Sequence, residues 1–138
     1  MSDVNDWNKN VIAEFRENEG KVGGQFEGAP VLLLHTTGAK SGIERVNPMM
    51  YLVEDDKIYV FASYAGADNH PDWFHNLKAN DTVTIEQGTE EYEATAVEVS
   101  RSERDRVYAI QAERFPGFAE YEKKTTRVIP VVELVRKK

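Results

Sequence analysis

The sequence predicts an α+β domain built on an antiparallel barrel of about six strands, with helices at its periphery. Three observations carry that prediction. Six short runs rich in Val, Ile, Leu and Tyr recur along the chain, each of strand length. Two pairs of them are joined by tight-turn sequences, Glu54-Asp55-Asp56-Lys57 and Gln87-Gly88-Thr89-Glu90. Helical patterns break into the series in two places, so the connections are mostly meanders with inserted helices. At 138 residues the chain fits one domain and can bury roughly two-thirds of its unfolded surface.

Val4, Trp7, Val11, Ile12 and Phe15 fall at helical spacing and predict an N-terminal amphipathic helix. Gly20, Gly23, Gly24 and Gly28 then mark a flexible connection. Residues 1–28 are therefore read as a helix and a Gly-rich connection, and 29–138 as the barrel domain. Strands are expected over Val31–Thr37, Arg45–Val53, Ile58–Tyr64, Thr82–Gln87, Tyr92–Ser100 and Val128–Val135. A helix is expected from Pro71, at its first position, to about Ala79, with Asn80 as the stop. A second should start at Ser102, where Ser102-Glu103-Arg104-Asp105 resembles a capping box, and carry Val107, Ile110 and Phe115 inward. Pro116-Gly117 separates it from a short piece over Phe118–Lys124.

Composition narrows the function. The net charge of −7 opposes general nucleic-acid binding, which draws on a positive surface. No run approaches the ~20 apolar residues of a bilayer span, and the N-terminus lacks the basic and apolar regions of a secretory signal. With no cysteine, disulfides and thiolate metal sites are excluded and a cytoplasmic location is the default. Asp3, Asp6, Glu14, Glu17 and Glu19 oppose anionic lipid, so the sequence gives peripheral membrane association no support.

Three segments can carry chemistry. In Thr36-Thr37-Gly38-Ala39-Lys40-Ser41-Gly42, the Lys-Ser pair suggests a P-loop, but Ala39 replaces the second glycine and a strand containing Pro48 follows where a helix is required. A basic turn remains, able to hold an anion through backbone N–H groups, Lys40 and Arg45, or to be an ordinary solvated hairpin loop. The stretch from Ala62 to Asn76 runs from a strand end through small residues into a helix. Ser63, Ala65 and Gly66 would let a planar ligand approach the backbone, with Trp73 and Leu77 as core anchors in the plainer reading. His70 and His75 are five apart and miss the spacing of paired helical ligands, so Asp68, Asp72 and the two histidines do not make a metal site on this pattern. Phe115-Pro116-Gly117-Phe118-Ala119-Glu120-Tyr121 is either core packing or an aromatic wall over a flat substrate. No nucleophile elbow or triad is present. That leaves a protein whose chemistry belongs to a bound cofactor, or a binder without chemistry.

Thr36-Thr37-Gly38-x-Lys40-Ser41-Gly42, then Arg45-Val46-Asn47-Pro48, Ala62-Ser63-Tyr64-x-Gly66, His70-Pro71-x-Trp73, Asn76-Leu77-Lys78-Ala79-Asn80 and Thr126-Arg127-Val128-Ile129-Pro130-Val131 together resemble the deazaflavin-dependent nitroreductase family. The match runs from about Pro30 to the C-terminus in consistent order. It implies a split β-barrel of the FMN-binding type that uses reduced coenzyme F420, a deazaflavin with a phosphodiester and oligoglutamate tail. The activity implied is reduction of small electron-poor molecules: quinones, enones, lactones and nitroaromatics.

By the same resemblance Ala39, Lys40, Ser41, Gly42 and Arg45 clasp the phosphate and tail, and Val46, Asn47, Pro48, Met49 and Met50 lie along the cofactor. Phe61, Ala62, Ser63, Tyr64, Pro71, Asp72, Trp73, Phe74 and Asn76 complete that pocket. Met50, Phe115, Phe118 and Tyr121 form the acceptor wall, and Ser63, Tyr121 or a water supplies the proton. Where nitroimidazole-reducing members have a tyrosine-rich wall, only Tyr121 keeps a hydroxyl here, which favours flat enones, lactones or quinones. FMN is the alternative cofactor, a carrier or sensor of deazaflavin the alternative function. Split barrels often pair, so a homodimer stays open.

Overall fold

The computed structural model describes residues 2–18, 30–39, 42–54, 56–62 and 70–137. The expected connection over Gly20–Gly28, and Lys40, Ser41, Ser63, Tyr64 and Asp68, lie outside them. Six strands, β1 (Val31–Thr37), β2 (Glu44–Glu54), β3 (Lys57–Phe61), β4 (Thr82–Gln87), β5 (Glu90–Glu98) and β6 (Val131–Arg136), close a barrel in the order β1-β2-β3-β6-β5-β4. Every neighbouring pair is antiparallel. Four helices lie among the described residues: α1 (Ser2–Glu17), α2 (Asp72–Ala79), α3 (Arg101–Arg114) and α4 (Gly117–Lys124).

Local chemistry explains the boundaries. The two hairpins close at Glu54↔Lys57 and Gln87↔Glu90, with Asp56 at φ 63° and Gly88 at φ 61° supplying the left-handed conformation that two-residue turns need. Pro48 is tolerated because β3 pairs only with Tyr51–Glu54, so β2 has a neighbour on one side alone at that point. Four expectations shift. β3 ends at Phe61. β6 starts at Val131, after Pro130, which has no N–H to give a ladder. Pro71 is the extended N-cap of α2 rather than its first residue. Ser100, not Ser102, caps α3: its Oγ accepts the Glu103 N–H at 3.3 Å, and β5 stops at Glu98 to allow it.

Strand alternation sorts the core into an inside and an outside. Leu32, Leu34, Met49, Val60, Val83, Ile85, Ala94, Ala96, Val132 and Leu134 fill the barrel, and Trp73, Phe74 and Leu77 bring α2 onto the same cluster. On the outer face, Leu52, Tyr59, Phe61 and Val131 pack against Val107 and Tyr108 of α3 and Phe118 of α4. Val31 and Leu33 pack against Val11 and Phe15 of α1. Arg16 adds a bidentate contact to Glu86, which also meets His35 Nε2 at 2.6 Å. The Arg16 hydrogen bond, ahead of that from His35, holds the Glu86 carboxyl below its ordinary value.

Two buried polar side chains on α3 contrast. Arg104 donates from Nε to the Ile129 carbonyl at 2.8 Å and from its two terminal nitrogens to Asp105 and Glu122, joining α3 to α4. Gln111, fully buried, has no partner among the described residues for either side-chain amide atom. An unmade buried hydrogen bond is destabilising, and an apolar group of the same shape removes the deficit. Gln111→Met is therefore expected to stabilise the fold by about 1 kcal/mol, read as a higher urea midpoint with an unchanged slope.

Candidate functional site

The basic turn between β1 and β2 is a built loop. Gly42 N–H donates to the Gly38 carbonyl at 2.9 Å and Gly38 N–H to the Ile43 carbonyl at 2.8 Å. Gly42 sits at φ +71°, where a side chain would strain the backbone, with open space around it. From α2, the buried Asn76 reaches this loop. Its Oδ1 accepts the Ala39 N–H at 3.0 Å, and its Nδ2 donates to Thr36 Oγ1 at 3.4 Å. Asn76 thus acts as the strut of the turn, its amide already engaged. Asn76→Ala is expected to destabilise the protein by about 1–2 kcal/mol and to speed proteolysis within residues 38–43; an unchanged cleavage rate would contradict the strut.

The register of β1 and β2 divides the residues implied as cofactor contacts. Thr36↔Arg45, Leu34↔Asn47 and Leu32↔Met49 place Arg45, Asn47 and Met49 on the inner face. Arg45 is exposed there at the mouth of the barrel, Asn47 is half-buried, and Met49 is a core side chain inside the barrel. Val46, Pro48 and Met50 share the opposite face. Val46 and Met50 pack with the α1 cluster, and Met50 also joins the α3–α4 cluster. Phe61 and Ala62 divide in the same way, outward to the α3–α4 cluster and inward to the barrel. The two sets of side chains therefore point to opposite faces of the sheet.

On the acceptor wall, Phe118 is core: it packs edge-on to Phe61 at 5.5 Å and to Tyr121 at 5.2 Å. Phe115, Tyr121 and Met50 are half-buried around it. The Tyr108 hydroxyl donates to the Phe118 carbonyl at 2.7 Å, and burial raises its pKa. The Tyr59 hydroxyl donates to Glu103 at 2.6 Å, and burial, then that bond, pushes its pKa up to about 12. Both tyrosines are thereby committed to structure.

At the start of α2, Pro71, Trp73 and Phe74 are buried and Asp72 is exposed. Half-buried His70 packs at a tilt against Phe74, ring centres 4.9 Å apart, and lies near His75 at 5.9 Å. Arg127 Nη1 lies 3.0 Å from His70 Nδ1. Burial, then Arg127 and His75, lowers the His70 pKa, so the ring is neutral at pH 7 and accepts from the guanidinium. This pair was not read from the sequence, although Arg127 stood within a quoted motif. Among the described residues no three His, Asp or Glu side chains gather as a metal site, and no helix is long and apolar enough to cross a membrane.

Residues 7–136 match the family model of the F420H(2)-dependent quinone reductases. The chain is 38% identical over 129 residues to the F420H(2)-dependent quinone reductase Rv1261c of Mycobacterium tuberculosis, covering 91% of this chain and 87% of that one. A solved F420-H2 dependent reductase superposes with a TM-score of 0.69 at 40% identity, over 76% of this chain and 93% of its own. A second solved structure, a domain-swapped dimer, gives a TM-score of 0.70 at 35% identity over 94% and 98%.

Proposed function

The chain belongs to the F420H(2)-dependent quinone reductase family, and from that premise we propose that the β1–β2 turn anchors the cofactor while α4 presents the acceptor. The protein is an oxidoreductase that takes its reducing equivalents from reduced coenzyme F420 and passes them to a quinone. The observation that carries the placement is the turn itself. In an acidic chain, a glycine-bounded turn pinned by Asn76 sets an exposed Arg45 at the barrel mouth, and Lys40 belongs to the same turn in the sequence. An anionic phosphodiester is the ligand we assign to the exposed turn at Gly42. Such a cluster suits it through charge-assisted bonds.

When bound, the reduced deazaflavin supplies the hydride. The chain's own part is positioning, because the donor carbon and acceptor atom must lie about 3–3.5 Å apart. Asn76 fixes the anchor, and Arg45 and Asn47 line the mouth. Pro48 and Met50 on the outer face lead towards Phe115 and Tyr121, a wall with few polar groups that excludes water from a flat ring. Ser63 and Tyr121 are the side chains offered as proton donors. We assign cofactor binding to residues 29–138, with α1 as a cover over β1 and β2, and the cell interior as the site of action. A homodimer is the assembly the reading favours, in line with the paired relative.

The test is anaerobic mixing of protein and reduced coenzyme F420 with menadione, following recovery of the oxidised deazaflavin absorbance. Stoichiometric reoxidation with multiple turnovers is expected. Tight binding without reoxidation would make the protein a carrier, and tighter binding of FMN would overturn the cofactor placement.

A further inference from the structure

The polar side chains gathered around α3 are bonded, with Gln111 as the exception. Tyr59 donates to Glu103, Tyr108 to the Phe118 carbonyl, and Arg104 to Ile129, Asp105 and Glu122. Gln111 is fully buried, yet among the described residues neither its Nε2 nor its Oε1 meets a partner. A buried amide in that state lowers stability, and a methionine of similar length would not. A native core leaves such a group orphaned where a ligand or a reaction uses it.

Its place in the helix says which ligand. Val107 and Tyr108 precede Gln111, and Phe115 follows it, at the spacings that put side chains on one face. The Phe115 N–H donates to the Gln111 carbonyl at 2.8 Å, which fixes that turn. Phe115 belongs to the acceptor wall, and the Tyr108 ring meets that of Phe118, another wall residue, with centres 6.1 Å apart. Gln111 is therefore flanked by one wall residue and by the neighbour of a second. Towards the end of α3 this face opens to solvent: Phe115 is half-buried, and Pro116 and Gly117 are exposed. We propose that Gln111 is an acceptor-binding residue, whose Nε2–H donates to a carbonyl oxygen of the quinone once the entering ring has turned the Phe115 side chain outward. The assignment rests on the reductase reading above and names the group that would recognise its substrate. An amide suits an oxygen that changes role. In the quinone that oxygen accepts; the addition of a hydride and a proton gives the hydroquinone, whose O–H donates. Nε2 serves the first state and Oε1 the second. Gln111 supplies neither hydride nor proton and breaks no bond; it holds the oxygen on which negative charge develops.

The test uses menadione with isotopically labelled carbonyls on the full-length protein and on Gln111→Met. Infrared difference spectra, taken with oxidised coenzyme F420 present, read the carbonyl band of bound menadione. Anaerobic turnover with reduced coenzyme F420 reads kcat and KM, and urea unfolding and deazaflavin titration run in parallel. In the unmodified protein the band should lie below its position in an aprotic solvent, and Gln111→Met should return it towards that position. The variant's kcat/KM for menadione should fall about ten-fold while deazaflavin affinity stays within about two-fold. Its urea midpoint should rise, so that activity and stability move in opposite directions. A band or a kcat/KM that ignores the substitution overturns the proposal. A joint fall in midpoint, deazaflavin affinity and turnover also overturns it, since lost packing would account for all three. A band shift that depends on Gln111, with no reoxidation of the deazaflavin by menadione, supports the quinone contact and sinks the reductase placement instead.

Discussion

Replacing Lys40 and Arg45 together by alanine is expected to weaken binding of reduced coenzyme F420 by about 100-fold. Each cation contributes a charge-assisted bond to an anionic oxygen, of about 1.5–3 kcal/mol when well formed. Arg45 is exposed at the barrel mouth, so solvent and salt reduce its share and the lower part of that range applies. Affinity of the unmodified protein should fall steeply with potassium chloride, and that slope should flatten in the double variant. The melting temperature should barely move, since the loop is held by its own backbone and by Asn76 rather than by Arg45. The deazaflavin absorbance in a titration at two salt concentrations gives both quantities. An unchanged affinity would remove the turn as the anchor.

Arg104→Ala should lower stability by about 3 kcal/mol, the size expected when a buried, fully bonded charge is deleted. The side chain spans three elements: its own helix through Asp105, α4 through Glu122, and the segment before β6 through the Ile129 carbonyl. Its guanidinium also lies 4.7 Å from the centre of the Tyr108 ring. Truncation leaves the Ile129 carbonyl buried without its donor and a void beside Tyr108. Arg104→Lys should recover little, because one ammonium cannot reproduce the planar fork. Urea unfolding measures the loss, and limited proteolysis should locate it at α4. A midpoint equal to the unmodified protein would show that the clamp adds nothing.

Much of the fold was legible because alternation and turn chemistry are local. β1 and β4 have the expected bounds, and both hairpins lie where Asp56 and Gly88 placed them. The helix starts were harder. Ser100 and Ser102 each precede an acidic residue by three positions, and only the end of β5 decides between them. Contacts that bind distant segments left no sequence signal: Asn76 with Ala39, Arg104 with Ile129, Arg127 with His70. The opposite facing of Met49 and Met50 did leave one, since adjacent strand residues always diverge. The motifs led to the deazaflavin-dependent nitroreductases and so to coenzyme F420, and the division of those motifs between two faces of a sheet required the register.

The strand order of the barrel also sets a sequence of events. β1, β2 and β3 lie side by side in chain order, as do β4, β5 and β6, whereas the β1–β4 and β3–β6 seams join segments far apart in the chain. Loop-closure entropy is smallest for the tight hairpins, so those should nucleate first and the seams should zip last. The β1–β4 seam is the shorter of the two, only Leu33–His35 against Thr84–Glu86. Kinetically, substitutions at the Gly88 turn should slow refolding, while trimming Leu34 or Ile85 at the seam should mainly hasten unfolding.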